Sequence, residues 1–224
     1  VKAIRDGFAG WHSAAPFKRI TSAYADVAPV TRAIEAPDKA NAVFMARMNL
    51  DLNEDDADYP ALYLANYMLG GGAGMDARLM ARIRVKDGLS YGVGSGLSAG
   101  RFDRAGSWTM QAIAAPENVA RVEAAFKEEL AKMLQDGFRP EELTKAKSGV
   151  LQRAVQGRAQ DRQLAAELQS DLDSGRSFAW DKQFEARVAA LTPDAVVAAA
   201  RKYIVPARIT VVKAGDFAKA AVKQ

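Results

Sequence analysis

The sequence predicts an α+β fold: an antiparallel sheet with helices packed on one face. Three observations predict it. Segment 89–97 alternates apolar with small or polar residues, and 41–50 sets Ala42, Phe44, Ala46, Met48 and Leu50 on one face, the period-two mark of half-buried strands. From residue 117 onward the apolar positions recur every three or four residues, the mark of amphipathic helices. Strands that pair as hairpins, with helices grouped between them, suit helices gathered on one side of a sheet rather than repeated βαβ units. At 224 residues the chain has the length of one domain, and no linker or internal repeat divides it. It therefore reads as a single domain over 1–224, with residues 1–30 as an entry segment packing on it.

The elements follow in order. Residues 1–30 carry turn formers and the aromatics Phe8 and Trp11. Segments 31–36 and 41–50, separated by Pro37-Asp38-Lys39, read as a hairpin with Ala42, Phe44, Ala46, Met48 and Leu50 on one face. The acidic stretch 51–58 leads into a helix with Leu62, Ala65, Met68 and Leu69 at helical spacing. The run Gly70-Gly71-Gly72-Ala73-Gly74 stops it, because glycine destabilises a helix interior. A second helix is expected over 76–86, with Leu79 and Ile83 stacked at i and i+4, ended by Asp87-Gly88. In the next strand Leu89, Tyr91, Val93 and Leu97 should share a face. Ser90, Gly92, Gly94, Gly96 and Ser98 form the other, a smooth surface that a helix or second backbone can approach.

A turn over 100–103 then leads into a strand over 104–114. Val119, Val122, Phe126, Leu130 and Met133 line a helix ending at Gly137. Pro140 opens the next helix, with Glu141 and Glu142 near its positive end. Further helices are expected over 160–174 and 178–190. Thr192 caps a last helix, and Ile209-Thr210-Val211-Val212 is a closing strand.

Composition narrows function. Hydrophobic residues make up 49% and charged residues 26%, as in globular rather than disordered chains. No apolar run approaches the ~20 residues of a membrane span. The excess of 31 basic over 27 acidic residues is dispersed, and no basic-aromatic interleaving points to nucleic acid. The absence of cysteine removes disulfides, thiol nucleophiles and thiolate ligands, and leaves periplasm and cytoplasm equally open. The opening Val1-Lys2-Ala3 has neither an initiator Met nor a signal-peptide pattern, and reads as a piece of a longer or processed polypeptide.

The strongest chemical statement is negative. His12 is the single histidine, whereas a catalytic zinc site needs three protein ligands and the peptidase motifs need at least two histidines, so no metal residue is assigned here. Asp51-Leu52-Asn53-Glu54-Asp55 starts like a calcium loop, but Asp56 stands where glycine is needed and Leu62 where a bidentate glutamate is needed. Gly88-Leu89-Ser90-Tyr91-Gly92 has the spacing of a serine-hydrolase elbow, yet a helix precedes it, a strand follows it, and no histidine comes later. Gly72-Ala73-Gly74 follows a helix, which rules against a dinucleotide fingerprint. Arg84 and Tyr91 remain, seven residues apart, with Asp87-Gly88 able to turn them toward a common side.

The run Gly70-Gly71-Gly72-Ala73-Gly74-Met75-Asp76-Ala77-Arg78-Leu79, followed by Arg82-Ile83-Arg84-Val85-Lys86-Asp87-Gly88-Leu89-Ser90-Tyr91, resembles the second homologous domain of pitrilysin/insulinase-type zinc peptidases, the family of mitochondrial processing peptidase and bacterial homologues. The entry segment and the closing helix and strand are similar to it as well. Asp87 and Met75-Asp76 depart mildly from the usual pattern. The resemblance implies a metallohydrolase-like domain that binds no metal and closes over a zinc-bearing homologous domain, in the same polypeptide or on a second subunit. It implies a peptide or unfolded protein as substrate, no cofactor in this chain, zinc in the partner, and no activity for the isolated chain. It further implies that Tyr91 hydrogen-bonds the scissile carbonyl and Arg84 a neighbouring substrate carbonyl, donors suited to charge growing on an oxygen. The alternative is a catalytically inactive scaffold or peptide-binding member of the family.

Overall fold

Alternation in a single strand places the core. Of the stretch Ala42–Leu50, Ala42, Phe44, Ala46, Met48 and Leu50 are buried, while Val43, Met45 and Arg47 between them face outward. The computed structural model describes residues 1–72 and 74–221. In chain order these form α1 (Lys2–Phe8), β1 (Thr31–Glu35), β2 (Ala42–Leu50), α2 (Tyr59–Asn66), a π-helical turn (Tyr67–Gly71), a π-helix (Met80–Lys86), β3 (Ser90–Ser98) and β4 (Gly106–Ala114). Then follow α3 (Val119–Asp136), α4 (Pro140–Arg158), α5 (Asp161–Ser174), α6 (Phe178–Ala190), α7 (Pro193–Tyr203), β5 (Thr210–Gly215) and α8 (Phe217–Ala221). Ala73, part of the glycine run, lies outside the described residues.

The helices pack on one face of the sheet, as expected. Phe126 of α3 meets Phe44 of β2 at 5.7 Å between ring centres and stacks on Trp108 of β4 at 6.0 Å. Leu62 and Leu64 of α2, Val122 of α3 and Val196 and Ala200 of α7 are fully enclosed in the same core. Trp108 is wholly buried, and its indole N–H donates to Asn66 Oδ1 at 3.0 Å, so the core holds no orphaned donor there.

The strand order is β1-β5-β2-β4-β3, with β1 parallel to β5 and the other pairs antiparallel. The hairpin expected of 31–36 with 41–50 does not form. Both strands exist, but β5 inserts between them, so their connection must span two strand spacings, about 10 Å. It does so over the end of β5: Ala36 N–H donates to Gly215 O at 2.9 Å, Asp38 N–H to Asp216 Oδ2 at 2.9 Å, and Asp38 takes a positive φ of 61°. Period-two alternation marks a strand and its buried face, but carries no information about which strand lies beside it.

Local signals set the element ends. Gly137 closes α3 with φ of 72°, and the Thr192 side chain accepts from Ala195 N–H at 3.2 Å to start α7. At the α3–α4 turn, Glu142 accepts from Arg139 N–H and takes a two-point contact from Arg78 at 2.9 Å, while Arg78 also donates to Gly137 O. Burial raises the Glu142 pKa, but the Arg78 and Arg139 contacts outweigh it and bring the carboxyl to about 2. The strut anchors the segment that leads into the π-helix. The entry segment is tethered through Arg19, which grips Asp103 by two 2.6 Å bonds, and through Asn49 Nδ2, which donates to Ala25 O; α1 itself buries no residue.

Between α5 and α6 the arrangement is less comfortable. The Asp171 and Asp181 carboxyls lie within hydrogen-bonding reach, each has an Oδ2 without a partner, and Glu167 is nearby. Burial and then the Asp171 and Glu167 charges push Asp181 up to about 6. A carboxyl whose folded pKa exceeds its unfolded value near 3.8 takes up its proton sooner when folded, so it adds stability as pH falls through 6 toward 4. Discounted for solvent screening, the gain is about 1 kcal/mol. Urea midpoints at pH 7.5 and 5 should therefore differ more in the parent chain than in Asp181→Asn, which should also be the more stable at pH 7.5.

Candidate functional site

Two irregularities of the backbone build the site. The first is the π-helix carrying Arg84. Leu79 and Ile83 are completely buried beneath it, as their spacing predicts, and Val85 is exposed. A π turn takes more residues than an α turn, and its exit is wide: Asp87 N–H donates to Arg82 O, and Leu89 N–H reaches back to Ile83 O at 2.9 Å. Arg82 pairs with both Asp87 and Glu128, bracing the turn, and Gly88 takes φ of 64° to reverse the chain into β3.

The second is a β-bulge at the start of β3. Ser90 lies opposite Ala114 and Gly92 opposite Ile113, so Tyr91 is an extra residue in the ladder. The expectation that Tyr91 shares the face of Leu89 and Val93 is therefore overturned. Leu89, Ser90 and Val93 are buried, whereas Tyr91 is 87% exposed, on the uncovered face beside Ile113. The Ser90 hydroxyl pins the bulge: it donates to Ile113 O at 2.6 Å and accepts from Gly92 N–H at 3.2 Å. Buried and so engaged, it has none of the freedom a nucleophile needs, which agrees with rejecting the serine-hydrolase pattern.

The close approach expected of the glycine-rich strand occurs at Gly94 and Ser95. A Cβ on Gly70 would lie 2.9 Å from the Ser95 backbone N and Oγ, and one on Gly94 3.3 Å from Gly70 O. This contact seats the π-helical turn on β3. Gly92, Gly94 and Gly96 otherwise look onto the uncovered face, opposite Ile113, Gln111 and Thr109.

Together the irregularities bring Arg84 and Tyr91 side by side, with the guanidinium carbon 5.9 Å from the centre of the phenol ring. Neither makes a hydrogen bond or ion pair among the described residues, so a phenolic O–H and a guanidinium edge stand unused at the edge strand of the sheet. The roles of Ser90 and of the Arg82–Asp87 brace were not visible in the sequence. A serine two residues before a glycine in a strand is the only hint of the pinned bulge.

The other candidates resolve into ordinary structure. Arg104 pairs with Asp51 and Asp56, and Arg176 with Glu54 and Asp55, so the acidic stretch 51–58 is neutralised from within. Among the described residues no group of three histidine, cysteine or carboxylate side chains is placed to hold a metal ion. His12 is exposed in the entry segment. The residues of this chain do not suit a catalytic zinc.

A family model for the peptidase M16 inactive domain matches residues 1–150. The chain belongs to the peptidase M16 inactive-domain family. No curated protein matches it. Among solved structures, a peptidase M16 inactive domain from Pseudomonas fluorescens is 25% identical, with a TM-score of 0.79 over 90% of this chain and 47% of that one. A protease from Helicobacter pylori is 13% identical, with a TM-score of 0.81 over 95% of this chain and 51% of that one. The periplasmic protease PqqL from Escherichia coli is 19% identical, with a TM-score of 0.65 over 83% of this chain and 20% of that one. This M16 domain thus spans about half the length of the first two and a fifth of the third.

If Ser90 fastens the bulge of the M16 domain, Ser90→Ala removes two hydrogen bonds at a buried position. The loss should be about 2 kcal/mol, lowering the melting temperature by about 4–8 °C. Calorimetry of the two proteins checks it.

Proposed function

We propose that this chain is the substrate-binding, non-metal half of a zinc metalloendopeptidase, with Arg84 and Tyr91 as its contacts to the bound peptide. The observation that carries the reading is the pairing of two unused donors at 5.9 Å on an exposed bulge. Membership of the M16 inactive-domain family supports it, since such a domain belongs to peptidases whose metal is held elsewhere. The zinc-bearing partner domain, in the same polypeptide or on a second subunit, would supply the metal chemistry.

The residues of this chain would bind and orient. Tyr91 would give its phenolic proton as a hydrogen bond to the carbonyl oxygen of the bond to be cut, where negative charge builds up. Arg84 would give its guanidinium N–H groups to a neighbouring peptide carbonyl, holding the backbone extended. A donor aimed at developing charge acts mainly on turnover, and one aimed at a carbonyl that does not change acts mainly on binding.

A quenched fluorescent peptide mixture tests this. The chain alone should cut nothing, and the combination with its zinc-bearing partner should cut. Tyr91→Phe should lower kcat by ~10²–10³ with little change in KM, whereas Arg84→Ala should act chiefly on KM. Full activity in Tyr91→Phe would leave the scaffold reading in its place.

A further inference from the structure

The sheet has a second face that none of the described helices covers, crossed at one end by the entry segment where Asn49 meets Ala25, and its register gives it a definite pattern. Gly92, Ile113, Val43, Ala214 and Ile34 are successive partners across β3, β4, β2, β5 and β1, so they form one row perpendicular to the strands. Tyr91, bulged out beside Gly92, heads this row. Val43, Ile113 and Ile34 are 41–52% exposed, an apolar stripe leading away from the tyrosine. The next row runs Gly94, Gln111, Met45, Val212, Arg32, and the one after it Gly96, Thr109, Arg47, Thr210.

Among the strand side chains of this face charge has one sign; the acid Asp26, on the entry segment that crosses one end of the face, is taken up by Arg208. Arg32 and Arg47 are exposed and, like Arg84, have no ion pair among the described residues, although most other arginines of the chain are paired. No aspartate or glutamate occupies any uncovered-face position of the five strands. Glu35 points to the other side, where its carboxylate accepts from Ala218 N–H. Three unpaired guanidinium groups around an apolar stripe suit an occupant that brings apolar side chains and carboxylates together.

We propose that this face binds the substrate itself: an extended peptide whose residues next to the cleaved bond are apolar and which carries an acidic residue further along. The proposal rests on the reading of Arg84 and Tyr91 as substrate contacts. Four strand spacings of ~4.8 Å separate Tyr91 from the β1 end of the row, about 19 Å, and an extended chain covers that in about six residues at ~3.3 Å each. The acidic side chain is therefore expected about six positions from the cleaved bond, within reach of Arg32. Arg47, two residues along β2 from Met45, would favour carboxylates along the way. Basic peptides would meet three cations and be disfavoured.

The test uses the zinc-bearing partner together with this chain and three fluorescent peptides of one length, with an acidic, neutral or basic residue at the sixth position on either side of an apolar core. Binding is read by anisotropy with the metal chelated, and cleavage in parallel. The acidic peptide should bind about three- to tenfold more tightly than the basic one at low salt, with the preference fading at ~0.5 M salt. Arg32→Glu/Arg47→Glu should abolish or invert the preference. Equal affinity for all three, preference for the basic peptide, or an acidic preference that survives the double variant would overturn the inference. Tyr91→Phe separates the two readings. If it leaves cleavage unchanged while the acidic preference persists, the catalytic role of Tyr91 falls and the binding face stands.

Discussion

The hydrogen bond from the buried Trp108 indole to Asn66 sets how closely the helix layer meets the sheet. Trp108 is enclosed on all sides, and its N–H needs a partner that only a side chain from α2 supplies. Holding Asn66 at 3.0 Å from β4 draws the following residues onto β3, and there the chain can be only glycine. A Cβ on Gly71 would come within 2.4 Å of Asn66 Nδ2 itself, and one on Gly70 would strike the β3 backbone. The helix widens to a π turn at that point. The glycine run is thus as much a packing demand of one buried tryptophan as a helix stop.

From this contact the site follows. Regular α-helix and regular strand would leave Arg84 and Tyr91 in the phases their neighbours dictate, and Tyr91 would enter the core with Val93. A wide turn in one element and one extra residue in the other turn both side chains outward to the same edge. Each irregularity is held by groups that do nothing else evident: the Ser90 hydroxyl at the bulge, and Arg82 between Asp87 and Glu128 at the turn. Arg78 on Glu142 holds the approach to both.

Electrostatics divides the molecule in the same way. On the helix side and along the acidic stretch, arginines are taken up by carboxylates at hydrogen-bonding distance. On the uncovered sheet face they are not, and apolar side chains stand between them. Such a surface loses less on dehydration at its apolar stripe than at its charges, so it is better matched by a mixed apolar and acidic chain than by another sheet of the same kind.

Much of this was legible in the sequence. The five strands, the buried face of β2, the helix stops at Gly137 and Gly88 and the cap at Thr192 rest on near-neighbour physics: alternation, backbone freedom of glycine, and a hydroxyl bonding to an amide three residues away. That one histidine and no cysteine are too few for a zinc peptidase motif was equally legible, because ligands can be counted. What only the tertiary structure decided was which strands are neighbours and which way Tyr91 points. β5, the last of the strands in sequence, inserts between β1 and β2, and a hydrogen bond from Ser90 to a carbonyl 23 residues away keeps the bulge in place. Both depend on partners remote in sequence, and local periodicity does not encode such partners.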